Sequence, residues 1–580
     1  MNIRLVSGAA ALLSASAWAP AEILRVDASA APGGDGSSWS LAFNSLTDAL
    51  ASASTGDEVW IAGGTYVPDT PAGRNATFRI PSGVQVFGGF AGTEAALGDR
   101  GDPLNPPSIL SGLLPTKERV YHVVTIDEAS SSTALDGLHI RDGFAEGTSG
   151  AGILCTDSNP DFRSLVMTDC VASLTGGAIY ANGIFFPDSI EVYDSVFRDN
   201  LAGSGGAAVW SEIPIRLERC EIINNDSDVG EAAVRVRASG LTRILDCEFV
   251  GNDAGDGFGG AFNALTFGDL NGTLVERCEF RENSAPRAGA IGLTNFGTHT
   301  IRGCAFYANV CTGDGAGAIN YRCSGFTNRL TVENCLIDGN TTDEGAGAIA
   351  CDGPGSVRII NSTIVHNTSS DGAGAVGAWD GDNAIDNSIL WANDLVGADD
   401  QTNSVATDVF GDIEIDRSIV QFLGVGAPPP SGFGAFDADP LFVDLDGPDD
   451  MPGTPDDDVR LTPGSPAIDA GDSTVPSSVL HTDIYGAPRY VDDPDTADTG
   501  VPDGANAVVD LGAAEYQVAP PECNDADLAE PYGTLDFSDV LAFLTAFASM
   551  DPAADLAPEM GVWDFSDVLA FLIAFGGGCP

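Results

Sequence analysis

The sequence predicts a mainly β protein: a right-handed parallel β-helix solenoid with an N-terminal helical cap and a small α-helical domain at its C-terminus. The first observation is a skeleton, [Ser/Cys]-x-[Phe/Ile/Leu]-x-x-Asn, that recurs eight times, at Ser195/Phe197/Asn200, Cys220/Ile222/Asn225, Cys247/Phe249/Asn252, Cys278/Phe280/Asn283, Cys304/Phe306/Asn309, Cys335/Ile337/Asn340, Ser362/Ile364/Asn367 and Ser388/Leu390/Asn393. Successive Asn are 25, 27, 31, 26, 31, 27 and 26 residues apart, and a repeat of this length marks stacked units. The second is a small-residue block after most of these Asn: Gly206-Ala207, Gly260-Ala261, Gly289-Ala290, Gly317-Ala318, Gly347-Ala348 and Gly374-Ala375. The third is a duplicated acidic loop and apolar segment near the C-terminus, repeated at an offset of 28 residues.

Residues two apart on a strand share a face, so the Ser/Cys and the Phe/Ile/Leu of each repeat point into one core. The Asn ends the strand, because its short amide bonds local backbone and tolerates turn conformations. Stacking puts Asn over Asn, and each amide then bonds its neighbours along the stack. The Gly of the small block leaves room for close backbone approach. A helical solenoid is disfavoured, since the repeats lack an apolar period of 3.6 and are rich in Gly. Coils of such a stack lie about 4.8 Å apart.

The elements follow in order. Residues 1–21 read as a secretory signal, with Arg4, an apolar run from Leu5 to Leu13, and small residues at Ala15, Ala17, Ala19 and Ala21. Residues 22–124 form the cap and first coils. Between Leu41 and Leu50, Phe43, Leu46 and Leu50 fall on one helical face, and a helix there covers the open first coil. Glu58 to Tyr66 is bounded by Gly56 and Gly63-Gly64 and reads as turn, strand, turn. Residues 125–425 are the repeats, 426–517 a closing module that breaks the ladder, 518–522 a Pro-containing linker, and 523–580 the duplicated loop–helix domain.

The chain has 580 residues and a net charge of −59, with Lys117 as its lysine. Such a surface repels nucleic acid and anionic membranes. It also disfavours a polyanionic substrate unless a cation mediates. No second apolar run approaches the length of a transmembrane helix. Of twelve cysteines, Cys220, Cys247, Cys278, Cys304 and Cys335 share one repeat position where Ser substitutes. In-register side chains are spaced slightly too far for disulfides, so these read as buried small apolar residues. Cys523 and Cys579 bracket the last domain and are expected to clasp its ends.

Residues 444–458 hold Asp444, Asp446, Asp449, Asp450, Asp456, Asp457 and Asp458 with Gly447 and Gly453. Calcium prefers carboxylate-rich, Gly-punctuated loops, and Asp444, Asp446, Asp456 and Asp458 are its candidate ligands; the plainer reading is a solvated acidic loop. In the last domain Asp536 and Asp564 are N-cap residues. Phe537, Val540, Leu541, Leu544 and Phe547, matched by Phe565, Val568, Leu569, Leu572 and Phe575, mark apolar helical faces expected to pack on each other.

The Gly176-Gly177-Ala178-Ile179 and Phe197-Arg198-Asp199-Asn200 blocks resemble polymorphic outer-membrane-protein repeats, and residues 125–400 more broadly resemble pectin-lyase-like β-helices. The phrases from Ser465 to Gly471 and from Val509 to Tyr516 resemble the module that closes β-helices of the "choice-of-anchor" class. Residues from Cys523 to Pro580 resemble a dockerin, in the variant ending in Gly-Cys-Pro found in exported planctomycete proteins. That resemblance implies calcium as cofactor and a cohesin-like protein or other cell-surface anchor as partner. It places Asp527 and Asp555 at the first ligand position and Asp536, Asp564, Asp539 and Asp567 at the late ones. The middle positions depart from the pattern, with Ala529, Pro531, Ala557 and Glu559, and each loop is one residue longer than an EF-hand loop.

For function the sequence gives two readings. The first is a secreted, cell-surface-associated protein with an adhesive, structural or glycan-binding role, attached through the tail. The second is an extracellular polysaccharide lyase or glycoside hydrolase on the same scaffold. The five His (His122, His139, His299, His366, His481) form no cluster in sequence, and no coil stands apart from the rest as a catalytic one. Acids after the ladder Asn (Asp226, Asp253, Asp314, Glu344, Asp371) are expected to stack into an acidic stripe.

Overall fold

The computed structural model describes residues 21–580 except 69, 184–188, 268–271, 396–408, 422–433, 476–480, 505–506, 519–525, 527, 530–534, 551–553, 558–562 and 578–580. Residues 1–20 of the signal segment, Asp527, Cys523 and Cys579 therefore lie outside the described residues.

From Ile23 to Val420 the chain winds as a parallel β-solenoid. One coil illustrates the rest: Ile179–Asn182, Ile190–Tyr193, Val196–Arg198 and the short Leu201–Ala202. Each pairs in parallel with its equivalent in the coils before and after. The first two strand types build two stacks, which merge into one 24-stranded sheet where Val376–Asp386 runs through both. The third type builds a separate 13-stranded sheet, the third stack.

Two left-handed corners shape every repeat. Asp194, Arg219, Asp246, Arg277, Asn334, Asn361 and Asn387 precede the ladder Ser/Cys with φ from 47° to 53°. Asp199, Asn224, Glu282, Ala308, His366 and Ala392 precede the ladder Asn in the same conformation. Asn and Asp tolerate this region best among residues with a side chain. After each corner the Asn side chains interlock as expected: Nδ2 of Asn200, Asn225, Asn252, Asn283, Asn309, Asn340 and Asn367 donates to Oδ1 of the next Asn, ending at Asn393, over 2.8–3.1 Å. The same oxygens accept the backbone N–H of the preceding Asn.

The Ser/Cys row is a second hydrogen-bonded ladder, and this corrects its reading as apolar filling. Ser195 Oγ accepts Leu165 N at 3.0 Å, Cys278 Sγ accepts Cys247 N at 3.4 Å, and Ser362 Oγ accepts Cys335 N at 3.2 Å. Ser and Cys interchange because each offers a compact acceptor and a donor to the carbonyl two residues back. The five ladder cysteines are free thiols, and burial drives Cys220, Cys247, Cys278 and Cys304 well above the ordinary thiol value. Below them Phe249, Phe280 and Phe306 stack with centroids 4.8 and 4.9 Å apart. The small-block Gly is fixed by space: a Cβ on Gly289 would lie 2.0 Å from Gly317 O, and one on Gly347 2.0 Å from Gly374 O.

The cap helix α1 spans Leu46–Ser52, shorter than the apolar face predicted. Ser45 caps it, accepting Asp48 N at 3.2 Å, and Leu46, Ala49 and Leu50 face the core. Phe43 is extended instead, bridging Val26 across the first coil. Among the described residues no helix is long and apolar enough to cross a membrane.

The closing module lies on the outer face of the third stack. Its antiparallel strands Phe442–Asp444 and Asp458–Leu461 bring Val459 and Phe442 against Tyr307, Leu336 and Val365, and Leu461, Ile468 and Leu511 against Ile389 and Ile419. Corner residues reach into it: Asn334 Oδ1 accepts Arg489 Nη1 at 2.8 Å, and Asn387 Oδ1 accepts Asp472 N at 2.7 Å.

In the tail, α2 (Phe537–Ser549) and α3 (Phe565–Gly577) pack through Phe543 and Phe571, whose rings stack at 4.2 Å. Val540, Phe547, Val568 and Phe575 support that contact. Phe537, Leu541, Leu544, Phe565, Leu569 and Leu572 were expected in it too, yet they are exposed. Each helix has two apolar faces, and the partner helix covers one of them.

Candidate binding groove beside the closing module

Where the closing module ends, the third stack continues uncovered, and the step between them is a groove of about 820 Å³. Its floor is the outward row of successive strands, Glu221, Glu248, Glu279, Ala305 and Leu336, held in register. Its far wall is Pro455 and the segment 482–486, including Tyr485. That segment is fixed by Asp483, whose Oδ1 accepts Tyr485 N at 3.0 Å and Ala487 N at 2.8 Å, and by Asn334, which donates to Thr482 O at 3.3 Å. The Tyr485 hydroxyl accepts Val459 N at 3.2 Å, and burial pushes it up to about 12.

Along one rim the corner residues alternate in sign: Asp194, Arg219, Asp246, Arg277. Arg219 grips Asp194 with Nε at 2.6 Å and Nη2 at 3.0 Å, and Arg277 grips Asp246 at 2.7 and 2.8 Å. Forked pairs of this kind are the strong ones, and they hold Arg219 and Arg277 above the ordinary guanidinium value. The rim charges cancel; on the floor Arg281 pairs with both Glu248 and Glu279, and Arg198 lies 4.0 Å from Glu221, so three carboxylates face two guanidiniums and the floor is mildly acidic. Glu279 is raised, by burial first, with Arg281 at 3.0 Å pulling the other way.

This geometry binds more readily than it cleaves. A glycosidase sets two carboxyl groups across the substrate from each other; here the three Glu stand side by side on one surface, a strand spacing of about 4.8 Å apart. Asp483, the carboxylate on the opposite wall, is buried and spends its oxygens on backbone N–H groups. A lyase needs an unprotonated base beside a free cation that neutralises the substrate carboxylate, whereas the rim guanidiniums Arg219 and Arg277 are held protonated by their carboxylate pairs. Arg235, pulled down to about 10 by burial, pairs with Glu231 at 2.6 Å on the first stack, away from the groove.

The predicted calcium residues distribute differently. In residues 444–458, Asp449, Asp456 and Asp457 bring carboxylate oxygens within 4.8 Å of one another. Asp444 and Asp446 stay outside that group, and Asp458 pairs with Arg460 at 2.9 Å. In the tail, Asp539 accepts Leu528 N and Ala529 N at 2.8 and 2.9 Å on one oxygen and Asp536 N at 2.8 Å on the other. Asp567 repeats this with Ala557 N and Asp564 N. Asp536 and Asp564 cap their helices, accepting Ser538 N and Ser566 N. Asp539 and Asp567 therefore tie each loop to its helix, and among the described residues neither they nor Asp555 join a group of three converging ligands. Of the acidic stripe, Asp226 bridges Asp253 and Asp314 pairs with Glu344, and burial, then Asp253, raises Asp226.

No family model and no curated protein matches the chain. Solved structures similar to it include a pectate lyase, 13% identical with a TM-score of 0.31, over 86% of this chain and 97% of that one, and a rhamnogalacturonan lyase, 12% identical with a TM-score of 0.29, over 76% and 97%. Likenesses of this size transfer neither a site residue nor an activity.

Proposed function

We propose that this chain is an exported, cell-surface-associated β-solenoid that binds a glycan along its third stack and is held in place by its helical tail. The observation that carries the reading is the groove, a long shallow trough with a carboxylate floor and a tyrosine wall. Carboxylates accept from sugar hydroxyls, and a tyrosine ring offers an apolar face with a polar edge. The acidic floor selects a neutral or amino-bearing glycan over a polyuronate. The tail is suited to attachment because α2 and α3 make their own core and still expose a duplicated apolar surface, Phe537, Leu541 and Leu544 with Phe565, Leu569 and Leu572. A cohesin-like surface protein is the partner this face would take. The Cys523–Cys579 clasp belongs to the same proposal.

A glycan array and a polysaccharide-cleavage screen on one protein preparation, with and without calcium, test the first half. Retention of a neutral or amino-sugar glycan, weakened by Glu248→Gln and Tyr485→Ala, is expected, without cleavage. Release of unsaturated or reducing ends would instead establish the lyase or hydrolase reading. Deleting residues 522–580 tests the second half: the truncated protein should fold, be secreted and leave the cells, and equal retention of both forms would sink the anchoring role.

A further inference from the structure

Asp338 is the last residue of the strand Leu336–Asp338, at an outward position of the third stack. It is fully buried, because the closing module covers it. Its Oδ1 lies 3.0 Å from His366 Nδ1, its Oδ2 is buried with no N–H or O–H donor to it, and its carboxyl stands within hydrogen-bond reach of Asp457. His366 is the left-handed corner residue of the next coil, with φ 53° and a side chain 13% exposed. The third member arrives from the closing module: Asp457, 4% exposed, whose Oδ2 accepts Gly453 N at 2.7 Å. One ligand atom from each of Asp338, His366 and Asp457 lies within 4.8 Å of the others. The approach is allowed by a backbone contact between glycines, since a Cβ on Gly339 would lie 2.4 Å from Gly453 Cα.

Two carboxylates and an imidazole in a buried pocket leave negative charge unbalanced, and an unpaired buried charge is strongly unfavourable. Either a shared proton or a cation resolves this. We propose that Asp338, His366 and Asp457 form a site for a divalent transition ion of the zinc type, which staples the closing module to the solenoid. The imidazole nitrogen makes the choice of ion: zinc and its neighbours take His together with Asp oxygen, whereas calcium requires six or more oxygen ligands. Gly453 N, bonded to Asp457, supplies the outer support that orients a ligating carboxylate. The three residues are 28 and 91 positions apart in the chain (338 to 366, 366 to 457). No short motif announces them; the solenoid brings the first two together and the docked module adds the third.

The test uses the full secreted chain, stripped with a chelator and titrated with Co²⁺, then Zn²⁺. One equivalent of cobalt should bind with a visible absorption band, zinc should displace it, and zinc should raise the melting temperature. His366→Ala should fold, since Ala308 and Ala392 already occupy the same left-handed corner, and it should lose at least tenfold in affinity together with the zinc-dependent shift. Asp457→Asn should behave alike. Absence of the cobalt band, zinc-independent melting of the parent chain, or equal binding by His366→Ala would overturn the site and leave a carboxyl pair sharing a proton.

Discussion

The third stack is one continuous sheet with two kinds of outer face. Across the coils from Val196 to Arg281 its outward positions are Val196, Glu221, Glu248 and Glu279, with Arg198, Ile223, Val250 and Arg281 two residues on. In the same register the coils from Ala305 to Trp391 hold Ala305, Leu336, Thr363 and Ile389, with Tyr307, Asp338, Val365 and Trp391. The inward row hardly changes: Phe197, Ile222, Phe249, Phe280, Phe306, Ile337, Ile364 and Leu390 are all fully buried. Alternation along a strand separates the two tasks. Inward residues fix the coil, so outward residues are free to face a ligand in one half and a docked module in the other.

The largest expected effect comes from exchanging the two faces. Leu336→Glu places an unpaired carboxylate under the closing module and should cost about 3–5 kcal/mol, seen as early proteolysis between residues 436 and 516. Glu248→Leu, at the same register position in the open half, gives up only a part-exposed pair with Arg281 and should cost no more than about 1 kcal/mol. Similar losses in both would erase the distinction between the halves.

The Asn ladder should ignore the boundary. Asn252 and Asn340 make the same two ladder bonds, Asn340 adding one to Asp338 O, so Asn252→Ala and Asn340→Ala should both lower stability, by about 1–3 kcal/mol for each buried group left unmatched. Thermal unfolding of both variants measures this, and unchanged melting in either would count against the stacked ladder.

Gly339 and Gly251 hold the same left-handed corner, at φ 64° and 61°. A Cβ on Gly339 meets the Gly453 backbone, whereas one on Gly251 meets the Asn224 side chain, which is able to turn away. Gly339→Ala should therefore cost roughly 1–3 kcal/mol and loosen the module, and Gly251→Ala appreciably less. Equal shifts in denaturant midpoint would refute the contact.

The mildest effect is one of pH. Burial first, then Glu515, raises Asp510 in the closing module from 3.8 to about 8. The folded state holds this proton more tightly than the unfolded one. Its contribution is complete below the unfolded value and lost as pH rises through the folded value. Hydrogen-exchange protection in Val459–Leu461, corrected for the intrinsic base-catalysed rate, should thus fall between about pH 4 and pH 8, while that of Glu248–Val250 stays unchanged. Asp510→Asn should flatten the difference; equal pH dependence in both strands would exclude Asp510 as its source.

The sequence by itself determined whatever depends on local chemistry repeated at a fixed interval. The coil period, the Asn ladder, the crowded glycines and the free ladder thiols were all readable, because each repeat restates them and stacking only multiplies them. The duplicated tail was readable for the same reason, though not which of its two apolar faces is covered, since both have helical spacing. The change of outer face between Glu279 and Ala305 was written in the sequence too, but it acquires meaning only once the strand register is known. Tertiary structure alone decided the groove, which exists because the closing module stops partway along the stack. It also decided the fate of the acids. Asp539 and Asp567 turned to backbone N–H groups, which a local pattern of carboxylates does not disclose. Asp338, His366 and Asp457 met because a winding chain and a returning module bring distant residues within 4.8 Å, a distance set by the fold and by no spacing in the sequence.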